Sequence, residues 1–79
     1  MRSIAVISAE IRSDWKDVTP EAKPYLEAMA CIDRLTDIYG FGSGRMIVTY
    51  FLSHARKWKS DRAKRIKTEL RDMLKEEEY

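Results

Sequence analysis

A chain of 79 residues with 15 Lys/Arg against 13 Asp/Glu has room for one domain and one core, which excludes a separate substrate-binding lobe beside a catalytic one. Chains this short bury only about 60% of the surface their unfolded state exposes, so stability is marginal unless a disulfide, a metal or a partner contributes. Cys31 is the only cysteine and His54 the only histidine; together they exclude an intramolecular disulfide and a zinc site built on Cys and His, and the usage fits a reducing cytosol.

Residues 1–9 hold one positive charge and an apolar stretch broken at Ser3 and Ser8. That is too short and polar for a signal peptide, and no segment approaches the roughly 18 apolar residues of a membrane span, so a cytoplasmic protein is expected. Ser3 reads as an N-cap, and Ile4, Ile7, Ile11 and Trp15 recur at the spacing that lines one helix face, predicting a first helix over about 3–17. Glu10, Arg12, Asp14 and Lys16 form its solvated side.

Pro20 and Pro24 punctuate the next stretch, and the missing N–H of Pro24 places the start of the second helix near that residue. From there Tyr25, Ala28, Met29, Ile32, Leu35, Thr36 and Tyr39 share a face, predicting a helix over about 24–39 with Gly40 as a left-handed cap. Leu26 and Ile38 fall off that face: either the helix is flanked on two sides, or these residues contact something else. Residues 40–44 then read as a turn in which Ser43 caps the following helix.

Residues 45–58 are ambiguous, because residues 47–52 have the β-branched and aromatic content of a buried strand. Ile47, Tyr50, Phe51, His54, Ala55 and Trp58 superpose at a 3.6-residue period and no second strand candidate offers pairing, so a third, central helix over about 44–58 is expected, with Val48 and Leu52 widening its apolar surface. Ser60 and Asp61 signal another N-cap, and Ala63, Ile66, Leu70, Met73 and Leu74 complete a fourth helix over about 61–76. Three consecutive glutamates from Glu76 oppose the helix dipole and predict a frayed end. The fold class is therefore all-α: one four-helix domain over residues 1–79 with short loops.

Constellations that could carry chemistry are few. The glycines at 40, 42 and 44 lack the preceding strand and third glycine of a dinucleotide loop and the Lys-Ser/Thr ending of a P-loop. His54 reads as a partly buried imidazole on the core face, and Cys31 as a small core filler. No enzyme activity, cofactor or metal is expected.

Charge carries the best local signal. Residues 1–40 hold five Lys/Arg against seven Asp/Glu and residues 41–79 hold ten against six. Arg56, Lys57, Lys59, Arg62, Lys64, Arg65 and Lys67 fall within twelve residues with Asp61 as the sole acid, and Lys64, Lys67, Arg71 and Lys75 form a stripe expected opposite the apolar one. The candidate polar binding face is Arg56, Lys57, Lys59, Lys64, Lys67, Arg71 and Lys75. Such a face could meet phosphates, with Trp58 and Tyr50 as stacking candidates, although both sit on the predicted core face.

Asp14-Trp15, residues 24–29 (Pro-Tyr-Leu-Glu-Ala-Met), Tyr39-Gly40, residues 47–52 (Ile-Val-Thr-Tyr-Phe-Leu) and residues 63–70 resemble a group of small uncharacterised proteins encoded by bacteriophages and integrative elements, over nearly the whole chain. That group supplies no activity or site residues to carry over. The resemblance implies a bacterial or phage setting, in which chains of this size often act by binding a larger protein, including anti-CRISPR inhibitors of host defence nucleases.

The function expected from the sequence is thus a non-enzymatic protein-interaction module. Its candidate apolar contact is Leu26, Ile38, Val48 and Leu52, and its acidic residues Glu10, Asp14, Asp17 and Glu21 could imitate phosphates toward a nucleic-acid enzyme. The alternative is a nucleic-acid-binding accessory protein that uses the basic second half; a third option is a homodimer.

Overall fold

The computed structural model describes residues 2–40 and 42–76, in the order α1 (Ile4–Asp14), α2 (Lys23–Met29), β1 (Ile38–Tyr39), β2 (Gly42–Ser43), α3 (Gly44–Ser53) and α4 (Asp61–Glu76). The fold is mostly helical but not purely so: β1 and β2 pair antiparallel, Ile38 with Ser43 and Tyr39 with Gly42, in a hairpin absent from the all-α expectation. One hydrophobic cluster, to which every helix contributes, forms the core.

α1 starts where Ser3 Oγ accepts the Val6 amide at 3.2 Å, and it buries Ile4, Ile7 and Ile11 completely. It stops at Asp14 rather than residue 17, because Trp15 turns extended to bring its ring into the core. α2 contains Pro24 in its first turn, as its sequence requires, but ends at Met29, ten residues short of the expected boundary.

The reason lies in where the backbone groups of residues 30–37 go. Asp37 Oδ2 accepts the amides of Asp33 (2.8 Å) and Arg34 (3.0 Å), Asp33 O accepts the Ile4 amide at 3.0 Å, Asp37 O accepts the Gly44 amide at 2.7 Å, and Leu35 O accepts the Arg45 amide at 2.9 Å. A helix would need those groups for itself, and a short carboxylate side chain offers the backbone a competing arrangement. The strap so formed still buries Ile32 and Leu35, so the apolar spacing continues where the helix does not. Gly40 is left-handed (φ 51°), but in the hairpin turn rather than as a helix cap.

α3 is a helix, as spacing demands, with Ser43 Oγ accepting the Met46 amide at 3.3 Å. It packs on α2, α4 and β2, so Val48 is buried along with Ile47 and Phe51. It ends at Ser53 rather than residue 58; Ala55 and Trp58 reach the core from an irregular connection. α4 begins where Ser60 Oγ accepts the Ala63 amide at 3.0 Å and buries Ala63, Ile66, Leu70 and Met73. Of the three final glutamates, Glu77 and Glu78 lie outside the described residues, so the expected fraying does too. No helix among the described residues is long and apolar enough to cross a membrane.

Two of the stitches are acidic. The Asp33 and Arg34 amides hold Asp37 below the usual carboxylate range, and hydrogen bonds from Ser60 Oγ and Trp58 Nε1 do the same for Asp14. A depressed folded pKa contributes stability that is complete above the unfolded pKa of about 3.9 and lost as pH falls through the folded value. Urea denaturation should therefore give a constant midpoint between about pH 6 and 8 and a falling one below about pH 4, with a shallower fall in Asp37→Asn. A midpoint unchanged down to about pH 3 would remove these carboxylates from the account.

Candidate anion-binding face

α4 has two flanks with opposite electrostatic fates. On the α1 side, Arg2 donates to Glu10 at 2.6 Å and in a two-point grip to Glu69 at 2.5 and 3.0 Å; Arg65 reaches Glu10 at 2.8 Å and Arg62 reaches it at 3.5 Å. The Arg2 hydrogen bond, first among several cationic influences, holds Glu10 below the usual carboxylate range, and Glu69 and Glu10 raise the Arg2 guanidinium. Every arginine of this seam has a carboxylate partner.

The opposite flank carries Lys64, Lys67, Arg71 and Lys75 at spacings of three and four, so that they fall in one row about 16 Å long. Arg56, Lys57 and Lys59 extend it through the α3–α4 connection. Among the described residues, no ion pair joins a carboxylate to any of these seven. The row borders the core rather than lying opposite it: Lys67 is half-buried, donates to Trp58 O at 2.6 Å and sits 5.8 Å from the Trp58 ring centroid. Burial, then the charges of Arg71 and Lys59, hold the Lys67 ammonium below its usual range. Arg45, on the α3 side, caps the C-terminal turn of α4 by donating both Nη atoms to Leu74 O at 2.9 and 2.8 Å.

The candidate apolar contact does not survive as a surface. Leu26 is buried because α2 packs against both α1 and α3, which is the two-sided arrangement its off-stripe position allowed. Val48 is buried and Leu52 is half-buried against the same core; Ile38 alone stands out, 80% exposed on β1. The acidic patch is also dispersed: Glu10 is ringed by arginines and Asp14 accepts Trp58 Nε1 at 2.8 Å, while Asp17 and Glu21 are exposed.

Three further placements differ from expectation. Cys31 is exposed, because α2 ends before it, and its thiol beside Tyr39 pushes that phenol above its usual range. His54 is exposed at the C-cap of α3 and lies parallel to Tyr25, 5.6 Å between centroids, rather than on a core face. Of the two stacking candidates, Trp58 is 3% exposed and stacked on Trp15, whereas Tyr50 is 45% exposed and touches Tyr25 at 5.6 Å. Helical spacing placed His54 and Tyr50 on the α3 stripe; they sit at its edge toward α2, a distinction that a helix wheel does not resolve without the neighbour.

The glycine-rich turn offers no free amide cradle at the start of α3, since the Gly44, Arg45 and Met46 amides go to Asp37 O, Leu35 O and Ser43 Oγ. Among the described residues no group of three or more His, Cys, Asp or Glu side chains could hold a metal ion. No protein-family model matches the chain, and no match was found among curated proteins or solved structures.

Proposed function

We propose that this chain is a non-enzymatic binding module that works by stoichiometric contact with a larger macromolecule, and that the contact surface is the flank built from Arg56, Lys57, Lys59, Lys64, Lys67, Arg71 and Lys75. One observation carries this: the cations on the α1 side of α4 have Glu10 and Glu69 as partners, while those across the same helix have no carboxylate partner among the described residues. A row of like charges at spacings of three and four is self-repelling, and a partner's negative charge relieves that repulsion. A linear row of cations suits a phosphate backbone better than a pocketed ligand. The favoured partner is nucleic acid, gripped through its phosphates without sequence preference, and the role is that of an accessory protein in the bacterial or phage setting that the resemblance implies.

Fluorescence anisotropy with a labelled oligonucleotide tests this. For about four phosphate contacts, log affinity should fall against log salt with a slope of about −3 to −4 between about 50 and 200 mM. Reversing Lys64, Arg71 and Lys75 to glutamate should weaken binding at least about tenfold and flatten the slope by about three. Lys67 is left intact in that variant, because its bond to Trp58 O is structural. No shift at low salt, or equal affinity in the variant, removes the reading.

A second reading rests on Ile38 and Tyr39, 80% and 40% exposed on a hairpin braced by the strap. An apolar side chain held out in this way is an anchor for a protein pocket, on a larger target such as a host defence nuclease or on a second copy of the chain. Sedimentation of the free chain separates the homodimer from the other cases.

A further inference from the structure

The exposed rings at the end of α3 lie where the cationic connection begins. Tyr50 and His54 both meet Tyr25, at 5.6 Å with planes tilted 55° and at 5.6 Å with planes 5° apart. His54 also lines an open recess with Thr19, Glu21, Ser53, Arg56 and Lys57. Tyr50 is tilted 55° from Tyr25 and His54 only 5°, so the two exposed rings present separate faces rather than one plane; with two cations that have no carboxylate partner among the described residues, they combine the two elements by which single strands are held: ring faces for bases and positive charge for the phosphates.

Resting on the phosphate-binding reading of the α4 flank, we propose that Tyr50 and His54 form a base-stacking platform for single-stranded nucleic acid, with Arg56 and Lys57 as the phosphate contacts beside it. Duplex bases are stacked on one another and cannot use the platform, so it selects for unpaired strands. The recess holds one acid, Glu21, against Arg56 and Lys57, and stacking does not depend on base identity, so the occupant is a strand of any sequence.

The test compares labelled oligothymidylate, a labelled duplex of equal length and inorganic polyphosphate as competitor, across three variants. Tyr50→Ala should lower single-strand affinity by about 5- to 100-fold while leaving duplex affinity unchanged, and Tyr50→Phe should restore it. Arg56→Glu with Lys57→Glu should weaken the single strand further than the duplex. Tyr50 is exposed, so its truncation leaves the core intact; circular dichroism of each variant checks this. Equal single-strand affinity in Tyr50→Ala and wild type overturns the platform while leaving the flank standing, as does a preference for duplex. Displacement by polyphosphate at the same charge concentration that unlabelled oligothymidylate requires also overturns it, because charge alone would then account for binding. Binding of neither oligonucleotide, with a protein partner seated on the flank instead, overturns both.

Discussion

Replacing Trp58 with alanine is expected to cost about 3–5 kcal/mol. The indole lies 5.7 Å from Trp15 with planes 9° apart and meets Phe51 edge-on at 6.4 Å, and its Nε1 donates to Asp14; the backbone carbonyl of the same residue, which the alanine variant keeps, accepts from Lys67. One residue in an irregular connection thus ties α1, α3 and α4. A 79-residue domain has a total stability of roughly 4–12 kcal/mol, so the variant loses a large share of it. Trp58→Phe keeps most of the buried area and gives up the Asp14 hydrogen bond, for a smaller loss of about 1–2 kcal/mol. Urea denaturation followed by circular dichroism measures both. A Trp58→Ala midpoint indistinguishable from wild type would show that the three helices hold together without this ring.

Gly44→Ala should cost about 1–3 kcal/mol, even though alanine is the better helix former by about 1 kcal/mol. A Cβ at this position would lie 2.5 Å from Arg34 O, 2.9 Å from Leu35 Cα and 3.0 Å from Leu35 O. All are backbone atoms of the strap, pinned by Asp37, so the neighbour has little room to move. The other two glycines calibrate the effect. At Gly42 the added carbon meets only the flexible side chain of Met46, and at Gly40 it meets nothing but must adopt φ 51°, costing about 1–2 kcal/mol. The expected order of stability is therefore Gly42→Ala above Gly40→Ala, with Gly44→Ala lowest or level with it. A Gly44→Ala protein more stable than wild type would mean that the strap yields freely.

Much of this architecture is legible in the residues. Ser3, Ser43 and Ser60 mark three helix starts as caps, and Ile4, Ile7, Ile11 and Ala63, Ile66, Leu70, Met73 line two buried faces. What escapes is the end of α2. Ile32 and Leu35 keep helical spacing because burial requires it, while the hydrogen bonds of their segment go to Ile4, Gly44 and Arg45, partners that spacing within the segment does not reveal. The same limit applies to the charged surface. The basic residues are plain in the sequence, yet the difference between the paired and unpaired flanks of α4 depends on Arg2 meeting Glu69 across 67 positions. Leu26 and Val48 look like spare apolar surface only until α1 and α3 close over the one helix and α2, α4 and β2 over the other.

The strap over residues 30–37 supplies one carbonyl to the first residue of α1 and two to the start of α3. Local opening of this segment releases both helix starts at once, so fluctuations at two places far apart in the chain become a single cooperative event rather than independent breathing. Asp37, whose carboxylate closes the segment on itself, is the latch of that event.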